Sequence, residues 1–136
     1  MAIVLPQGRL NNSSESAVRE YLVSRSRVIA TVSLHLNTFK PHTNTKTTVI
    51  FVQKWNEDPK AGPLNPQIDN YPVFMAVSRN GGKDSAGSYV YEPDTLGKPK
   101  LDAHGHAIID HDLNRIAEEF QAFAQKHKLS FAPSVS

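Results

Sequence analysis

The apolar positions of the first 55 residues form three short runs that polar segments separate. The first run covers residues 2–5 and ends at Pro6, whereas the runs at 28–34 and 46–55 are rich in β-branched side chains. Short apolar runs of this composition are typical of strands that lie buried in a sheet. The pattern therefore predicts three strands in the first part of the chain.

The connections between the runs predict how the strands pair. A capping-box-like start and helical spacing predict a helix between the first two runs; the residues are Asn12 and Glu15, with Ser13 and Ser14 as alternative caps, then Val18, Tyr21, Leu22 and Arg25. Residues 35–45 are too few for a crossover helix, so we expect strands 28–34 and 46–54 to pair antiparallel. The helical crossover predicts that strand 2–5 runs parallel to strand 46–54 beside it.

The composition changes in residues 56–105, which hold six of the nine prolines and six of the seven glycines. This segment is predicted to be rich in loops. It contains two candidate strands, at 71–78 and 88–92, and a candidate hairpin that turns at His104-Gly105. We see no internal repeat in it.

An amphipathic helix is predicted at about 110–128, with Asp110 or Asp112 as its N-cap. Its apolar stripe consists of Leu113, Ile116, Ala117, Phe120, Phe123 and Ala124. We expect residues 130–136, which follow it, to fray.

A length of 136 residues suits one domain, and 39% hydrophobic residues suffice for a core. No apolar run is as long as the roughly 20 residues that a membrane span needs, and the first residues lack the basic start of a signal peptide. The chain has no cysteine, which excludes a disulfide scaffold and a cysteine-based zinc site. We therefore expect a cytoplasmic protein.

The formal net charge of +2 hides an uneven distribution. Residues 1–55 hold seven basic and two acidic residues, a balance of +5, whereas residues 56–136 have a balance of −3. A basic half is a modest indication that the first part of the chain faces a polyanion.

The sequence shows no self-sufficient catalytic motif. No serine lies in a Gly-x-Ser-x-Gly elbow, and the glycines do not form a Gly-x-Gly-x-x-Gly phosphate loop. His104, His106 and His111 lie near three aspartates, but a metal needs three or four converging ligands. Their spacing is more typical of an exposed hairpin and a helix start, so we predict no metal there.

The loop between strands 28–34 and 46–54 contains one large aromatic residue, Phe39, among threonine, asparagine, lysine and histidine residues. An exposed aromatic ring beside lysines suits stacking on a nucleic-acid base, with the lysines near phosphates. The alternative is that Phe39 fills a local core and anchors a long turn. Composition alone favours this second interpretation.

Three segments of the chain resemble one family of enzymes. They are AIVLPQGRLNNSS, VREYLVSRSRVIATVSL and TFKPHTNTKTTVIFVQK, within residues 2–54. Their ordered pattern, LP-x-G-x-L-x-N, then V/I-R-x-x-L, then S-L-x-x-x-x-F-x-x-x-T-x-T-K-T-x-x-x-F, is similar to the second half of the catalytic domain of N-6 adenine DNA methyltransferases. The closest resemblance is to the modification (M) subunit of type I restriction-modification systems. IDNYPVFMAVS and DHDLNRIAEEFQAF resemble the same subunit less distinctively.

The resemblance implies an α/β fold, a partial Rossmann-like class I methyltransferase sheet. Residues 1–55 would supply the fifth strand, its helix and the terminal antiparallel hairpin, and residues 56–136 a loop-rich extension on the same domain. In the family, S-adenosyl-L-methionine binds at the carboxyl ends of the strands, and the target adenine is flipped out of the duplex.

The resemblance also implies site residues. Phe39 matches the aromatic that stacks on the flipped base, which reverses the preference between its two interpretations. Lys40, Thr45 and Lys46 are the expected DNA contacts. Two positions depart from the family pattern: Gln7 replaces the usual Asp, which puts a polar contact in doubt, and Asn44 replaces the usual Gly, which Asn tolerates because it can adopt a left-handed backbone.

Two family motifs do not occur in these 136 residues, the glycine-containing cofactor loop and the Asn-Pro-Pro-Phe/Tyr catalytic loop. Because both precede the fifth strand in the family, the chain is expected to be a C-terminal part of a longer enzyme. Its catalytic and cofactor-binding residues are then expected elsewhere. The isolated chain is predicted neither to bind S-adenosyl-L-methionine nor to methylate DNA.

The sequence thus predicts a fragment of an adenine-specific DNA methyltransferase subunit, whose parent transfers a methyl group from S-adenosyl-L-methionine to the adenine amino group. Its expected partners are DNA, the upstream half of the methyltransferase, and the specificity (S) and restriction (R) subunits. The alternative is a non-catalytic module that binds DNA or a methyltransferase partner.

Overall fold

The structure is a computed structural model that describes residues 1–129, with the backbone alone for residues 10 and 11. Residues 130–136, which the sequence predicts to fray, lie outside the described residues. Within the described range, an α/β arrangement contains four strands and three helices. In chain order they are β1 (Ala2–Pro6), α1 (Gln7–Asn11), α2 (Ser16–Arg25), β2 (Ser26–Ser33), β3 (Thr47–Lys54), β4 (Phe74–Val77) and α3 (Leu113–Lys126), with a 3-10 turn (Ser13–Glu15) before α2.

The strands form one mixed sheet in the order β1-β3-β2-β4. β3 pairs antiparallel with both of its neighbours, so that Leu5 of β1 and Ser33 of β2 both lie opposite Thr48. β4 pairs parallel with β2, and Ala30 lies opposite Phe74. β1 and β2 therefore run in the same direction, and the connection through α2 joins them across β3.

The predicted strand pairing is confirmed in one part and wrong in another. The antiparallel hairpin of β2 and β3 and the helix before it occur as predicted. The prediction that strand 2–5 runs parallel to strand 46–54 is wrong, because the two are neighbours but antiparallel. The reason is topological. The helical crossover joins β1 to β2, and a connection of this kind makes the two strands parallel. β3 lies between them and runs in the opposite direction.

The segment between β1 and α2 differs from the predicted capped helix start. Pro6 ends β1, and Gln7 begins a one-turn helix that the sequence pattern does not predict. Asn12 Oδ1 accepts the N–H of Ser14 at 3.4 Å, so Asn12 caps the 3-10 turn and not α2. Glu15 stands at the N-cap of α2 and makes no side-chain cap bond.

The hydrophobic core lies between α3 and one face of the sheet. The predicted amphipathic helix is confirmed, and Ile116 and Ala124 of its apolar stripe are buried. The Phe120 ring centroid lies 5.5 Å from that of Phe74 in β4 and 6.2 Å from that of Phe51 in β3. The buried residues of this core are Ile29, Ala30, Val32, Leu34, Ile116, Ala124 and Leu129.

Asp112 fastens the start of α3 to the end of β4. It stands at the N-cap position, as one of the two predicted candidates, but makes no side-chain cap bond to the helix. Its carboxylate accepts a hydrogen bond from the Ser78 hydroxyl at 2.6 Å and another from the Arg79 N–H at 2.7 Å. Burial acts to raise the pKa of Asp112, but the hydrogen bonds outweigh burial and lower the pKa overall.

The loop-rich segment contains shorter strand pairs than the sequence predicts. β4 occupies part of the predicted strand 71–78, and residues 88–92 form isolated bridges in place of a continuous strand. The predicted hairpin at His104-Gly105 is confirmed, since the Asp102 N–H donates to the His106 carbonyl at 2.8 Å.

Residues 80–111, which we call the three-turn segment, contain a short repeat that the sequence analysis does not identify. The pattern Asp-x-x-Gly-x occurs at residues 84–88, 94–98 and 102–106. In each copy the aspartate carboxylate accepts the N–H groups of the residues two and four positions later. Each glycine has a φ between 77° and 93°, and this left-handed conformation explains why glycine stands at the fourth position.

Three backbone hydrogen bonds close a ring at the base of these turns. The Lys100 N–H donates to the Glu92 carbonyl at 2.8 Å, and the Ile108 N–H donates to the Lys100 carbonyl at 2.9 Å. The Glu92 N–H completes the ring by donating to the Ile108 carbonyl at 2.9 Å. The second and third turns are therefore joined through backbone pairing and do not depend on long strands.

Candidate nucleic-acid interface

Phe39 lies in the loop that joins β2 to β3, residues 34–46, which we call the hairpin loop. Backbone bonds fold this loop into tight turns: the Thr38 N–H donates to the His35 carbonyl at 3.0 Å, and the His42 N–H donates to the Phe39 carbonyl at 2.9 Å. Phe39 is 38% exposed. Its ring is thus partly open to a flat ligand, and the stacking role stays a prediction.

The three predicted DNA contacts lie in the same loop. Lys40 is half-buried, and its ammonium group donates to the Asn44 side-chain oxygen. The Thr45 N–H donates to the Thr43 hydroxyl oxygen at 3.0 Å, and Thr45 and Lys46 are both exposed. The hairpin loop therefore carries one partly exposed aromatic ring and two lysines on a single short segment.

The two positions that depart from the family pattern have defined contacts. The Gln7 N–H donates to the Lys46 carbonyl at 2.9 Å. Among the residues that the structure describes, the non-glycine residues with positive φ are Asn70 and Lys128, so Asn44 does not use the left-handed backbone. Its side chain instead accepts a hydrogen bond from the Lys40 ammonium group.

Lys83 and the first turn of the three-turn segment, residues 84–88, contact the hairpin loop. The sequence does not predict this contact. The Lys83 ammonium donates to the Lys40 carbonyl at 2.8 Å, and the Lys83 carbonyl accepts from the Asn37 amide nitrogen at 3.1 Å. Gly87 packs so closely that an added Cβ would lie 2.7 Å from the Pro41 nitrogen. The Asp-x-x-Gly pattern signals a turn, but its contact with the loop depends on the tertiary fold.

The three histidines considered as metal ligands lie in and after the third turn of the three-turn segment, residues 102–106. The His104 and His106 ring centroids are 6.4 Å apart, and the His106 Nδ1 lies 3.6 Å from the Asp102 Oδ2. Backbone N–H donors, that of His106 foremost, lower the pKa of the Asp102 carboxyl. His111 accepts the N–H of Leu113 on its Nδ1 at 3.2 Å. Within residues 1–129, no group of three or more potential ligands is placed to hold a metal ion.

Some of the basic side chains among the first 55 residues interact with other residues of the same chain. Arg9 pairs with Glu15 at 2.6 Å. The Arg27 guanidinium lies 5.1 Å from the ring centroid of Tyr71. Lys46 is exposed in the hairpin loop. The charge count alone therefore overstates the surface that a polyanion could use.

We use the term open surface for two features taken together, the outer edge of β1 and the exposed side chains of the helix α2. No strand of the described chain pairs with this edge, and Val4 is 49% exposed. The helix has no buried residue, and Val18, Tyr21 and Val23 are each more than half exposed. A continuous apolar strand such as β1 is typical of a buried element, whereas α2 presents Glu20 and Arg25 beside its apolar residues. The open surface therefore combines exposed apolar side chains with an unpaired strand edge.

The outer edge of β1 also presents backbone donors. Met1 and Val52 exchange hydrogen bonds at 2.8 and 2.9 Å, which places residue 1 in a bonded pair with β3. Because bonded and non-bonded positions alternate along an antiparallel strand, the N–H groups of Ala2 and Val4 point toward the outer edge. A further strand could pair with them.

None of the described helices combines the length and the apolar character needed to cross a membrane. No protein-family model matches the chain. A search of curated proteins likewise finds no match. A function for the chain must therefore follow from its residues and their geometry.

Proposed function

We propose that this chain is part of a type I restriction-modification DNA methyltransferase, the C-terminal portion of its modification subunit. The observation that carries the proposal is Phe39, which is partly exposed in the loop of an antiparallel hairpin, where the family resemblance expects the base-stacking aromatic. The mixed sheet and its crossover helix are compatible with the end of a Rossmann-like sheet. The parent enzyme would transfer a methyl group from S-adenosyl-L-methionine to the adenine amino group.

Phe39 would stack on the target adenine after the base has left the duplex. A flipped base has lost its stacking neighbours, and an aromatic ring restores contact worth about 1–3 kcal/mol per base. Lys46 would contact phosphates, which adds affinity for any DNA sequence. Recognition of a particular sequence would then belong to the specificity subunit.

In this proposal S-adenosyl-L-methionine binds in the upstream half of the enzyme and not to the described residues. Two clefts, of about 370 and 440 Å³, are lined by hydroxyl, amide and apolar side chains and by one lysine. Neither lining includes a carboxylate that could bind the ribose hydroxyls or the amino group of the cofactor. The proposal accordingly places the cofactor in the upstream half of the enzyme.

The open surface would bind that upstream half. The partner would supply a strand that pairs with the outer edge of β1 and apolar side chains that cover α2. Both elements support this occupant, because β1 has unpaired edge donors and α2 has no buried residue. DNA and the specificity and restriction subunits would complete the cytoplasmic assembly.

A second candidate is a non-catalytic module that binds DNA or a methyltransferase partner. It is favoured by the core that this chain forms from its own residues, between α3 and the sheet. A module of this kind would use the hairpin loop without taking part in methyl transfer.

The test combines the purified chain with the cofactor-binding half of a type I modification subunit and a specificity subunit, and measures transfer of labelled methyl groups to DNA. We expect Phe39→Ala to lower the rate about 5- to 150-fold, which is the loss of about 1–3 kcal/mol of stacking. Phe39→Trp should keep most of the activity, because stacking needs a ring and no polar atom. Tyr91→Ala is the control, since Tyr91 is 40% exposed, close to the 38% of Phe39.

Three results would change the assignment. DNA binding without any methylation would favour the non-catalytic module. Equal rates for the parent chain and Phe39→Ala would contradict the stacking role. A Phe39→Ala variant that unfolds would return the residue to the local core that composition alone favours.

A further inference from the structure

We propose that Lys83 is a positioning residue for the hairpin loop, and that it sets the presentation of Phe39 together with Asn37 and Gly87. The effect on DNA rests on the proposed function, whereas the effect on the loop does not. Lys83 would act through the loop backbone and would not contact the base itself.

Lys83 joins the two segments through both its side chain and its backbone. The Lys83 ammonium donates to the carbonyl of Lys40, the residue directly after Phe39, at 2.8 Å. The side-chain amide of Asn37, two residues before Phe39, donates to the Lys83 carbonyl at 3.1 Å. The two bonds thus hold the chain on either side of Phe39, and both are partly buried.

The surroundings of Lys83 fix the direction of its side chain. Its ammonium group lies 5.4 Å from the ring centroid of Tyr89, within the range of a cation–π contact. The residue is half-buried, so its hydrogen bond is less exposed to competition from water than a surface bond. A side chain held in this way loses little further entropy when the loop binds a ligand.

Gly87 allows the turn to approach the loop. An added Cβ would lie 2.7 Å from the nitrogen and 2.9 Å from the Cδ of Pro41, and 3.0 Å from the carbonyl carbon of Lys40. Backbone and ring atoms cannot move away as the end of a flexible side chain can. A side chain at this position would therefore displace the segment that carries Phe39.

The other two turns provide an internal comparison. Gly97 and Gly105 occupy the same position of the Asp-x-x-Gly-x repeat and also have positive φ. A Cβ at either position would meet no atom within 4 Å. All three glycines share the backbone requirement, but Gly87 alone of the three also packs against the hairpin loop.

The first readout follows the loop directly, without DNA. The chain contains one tryptophan, Trp55, so the double variant Trp55→Phe, Phe39→Trp places a single fluorescent reporter in the hairpin loop. In this background, Lys83→Met should raise quenching of the reporter by acrylamide about twofold, because an unsupported loop opens more often. Lys83→Arg should restore the parent value, since a guanidinium can donate to the same carbonyl and lie on the same ring. Lys98→Met, at an exposed lysine of the second turn, is the control.

The glycines give an independent test of the same contact. Gly87→Ala and Gly97→Ala both strain a left-handed backbone, so both should lower the melting temperature, and Gly87→Ala should lower it more because its Cβ also meets Pro41 and Lys40. Only Gly87→Ala should also change quenching of the reporter. The second readout is DNA binding in the assembled enzyme, which Lys83→Met should weaken about threefold to tenfold through the added cost of ordering the loop.

The two readouts separate this inference from the proposed function. Unchanged quenching in both Lys83→Met and Gly87→Ala would overturn the positioning role, whatever happens to DNA binding. Increased quenching in both, with DNA binding unaffected by these changes and by Phe39→Ala, would support the positioning role and contradict base stacking. Lys83→Arg that fails to restore the parent quenching would also count against the hydrogen bond to Lys40.

Discussion

The two longer helices of this chain, α2 and α3, differ in how their apolar residues are used. In α3 the apolar residues form one stripe, and Ile116 and Ala124 from that stripe are buried against the sheet. In α2 apolar residues occur on several sides, and none of the ten residues is buried. The two helices therefore differ in how their apolar residues are arranged and covered. The apolar stripe of α3 packs against the sheet of this chain, whereas α2 exposes apolar residues that the described chain does not cover.

This difference shows where the fold is complete by its own residues. The α3 side of the sheet contains the core and is fastened by the carboxylate of Asp112. The open surface has exposed apolar side chains and an unpaired strand edge. Substitutions on the two sides should accordingly have different effects on stability and on association.

The largest effect on stability should come from the α3 side. Ile116→Ala removes a side chain that is only 5% exposed, and it should lower the free energy of unfolding by about 2–5 kcal/mol. Val23→Ala in α2, where the residue is 53% exposed, should change it by no more than about 0.5 kcal/mol. Urea unfolding of the isolated chain measures both. Equal losses for the two variants would end the distinction between the helices.

An intermediate effect on stability is expected from Asp112→Asn. The carboxylate of Asp112 joins the start of α3 to the end of β4. The amide group of Asn can still accept a bond from the Ser78 hydroxyl, but it cannot also accept the Arg79 N–H with its nitrogen. The loss should be about 1–3 kcal/mol at neutral pH. Asp110→Asn is the control, because Asp110 accepts one exposed bond from the Asn80 side chain.

The same variant predicts a pH dependence. The pKa of Asp112 is lowered below the ordinary value of 3.8. Its stabilisation is therefore fully present above that value and is lost as the pH falls through the lowered pKa. The difference in unfolding free energy between parent and Asp112→Asn should be constant from neutral pH down to about pH 5 and should shrink at lower pH. A difference that grows on acidification would contradict the role of the two hydrogen bonds.

A small effect on stability should come from Tyr21 in α2. Its ring lies 5.0 Å from the Arg25 guanidinium, and the residue is 60% exposed. An exposed cation–π contact contributes about 0.5–1 kcal/mol, so Tyr21→Ala should lower stability by no more than that in the isolated chain. The same variant should weaken binding of the cofactor-binding half measurably. A large loss of stability with unchanged binding would mean that α2 is already packed.

The sequence predicts the parts of this fold that depend on local pattern. The β-branched runs predict β2 and β3, and the apolar stripe predicts α3, because periodicity records which face is buried. The direction of β1 relative to β3 follows from the two connections taken together, because the crossover makes β1 parallel to β2 and the hairpin makes β3 antiparallel to β2. Local pattern does not give the order of the strands, in which β3 lies between β1 and β2.

Some features of the candidate site are likewise predictable from local sequence, whereas others depend on the tertiary fold. Phe39 and Lys46 can be found from the sequence, because the loop length and the hairpin are local features. The repeated Asp-x-x-Gly-x turns could also have been found from their spacing. The contact of Lys83 with the hairpin loop could not, since it joins residues 43 positions apart and depends on where the three-turn segment packs.

The central claim, that β1 and α2 bind the cofactor-binding half of a methyltransferase, is tested most directly by hydrogen exchange of the β1 amides. The N–H groups of Ala2 and Val4 point to the outer edge of the sheet and should exchange rapidly in the isolated chain. On addition of the cofactor-binding half of a type I modification subunit, these amides should become protected, whereas amides of α3 should change little. Unchanged exchange at Ala2 and Val4, at concentrations of that half that saturate any binding, would contradict the account.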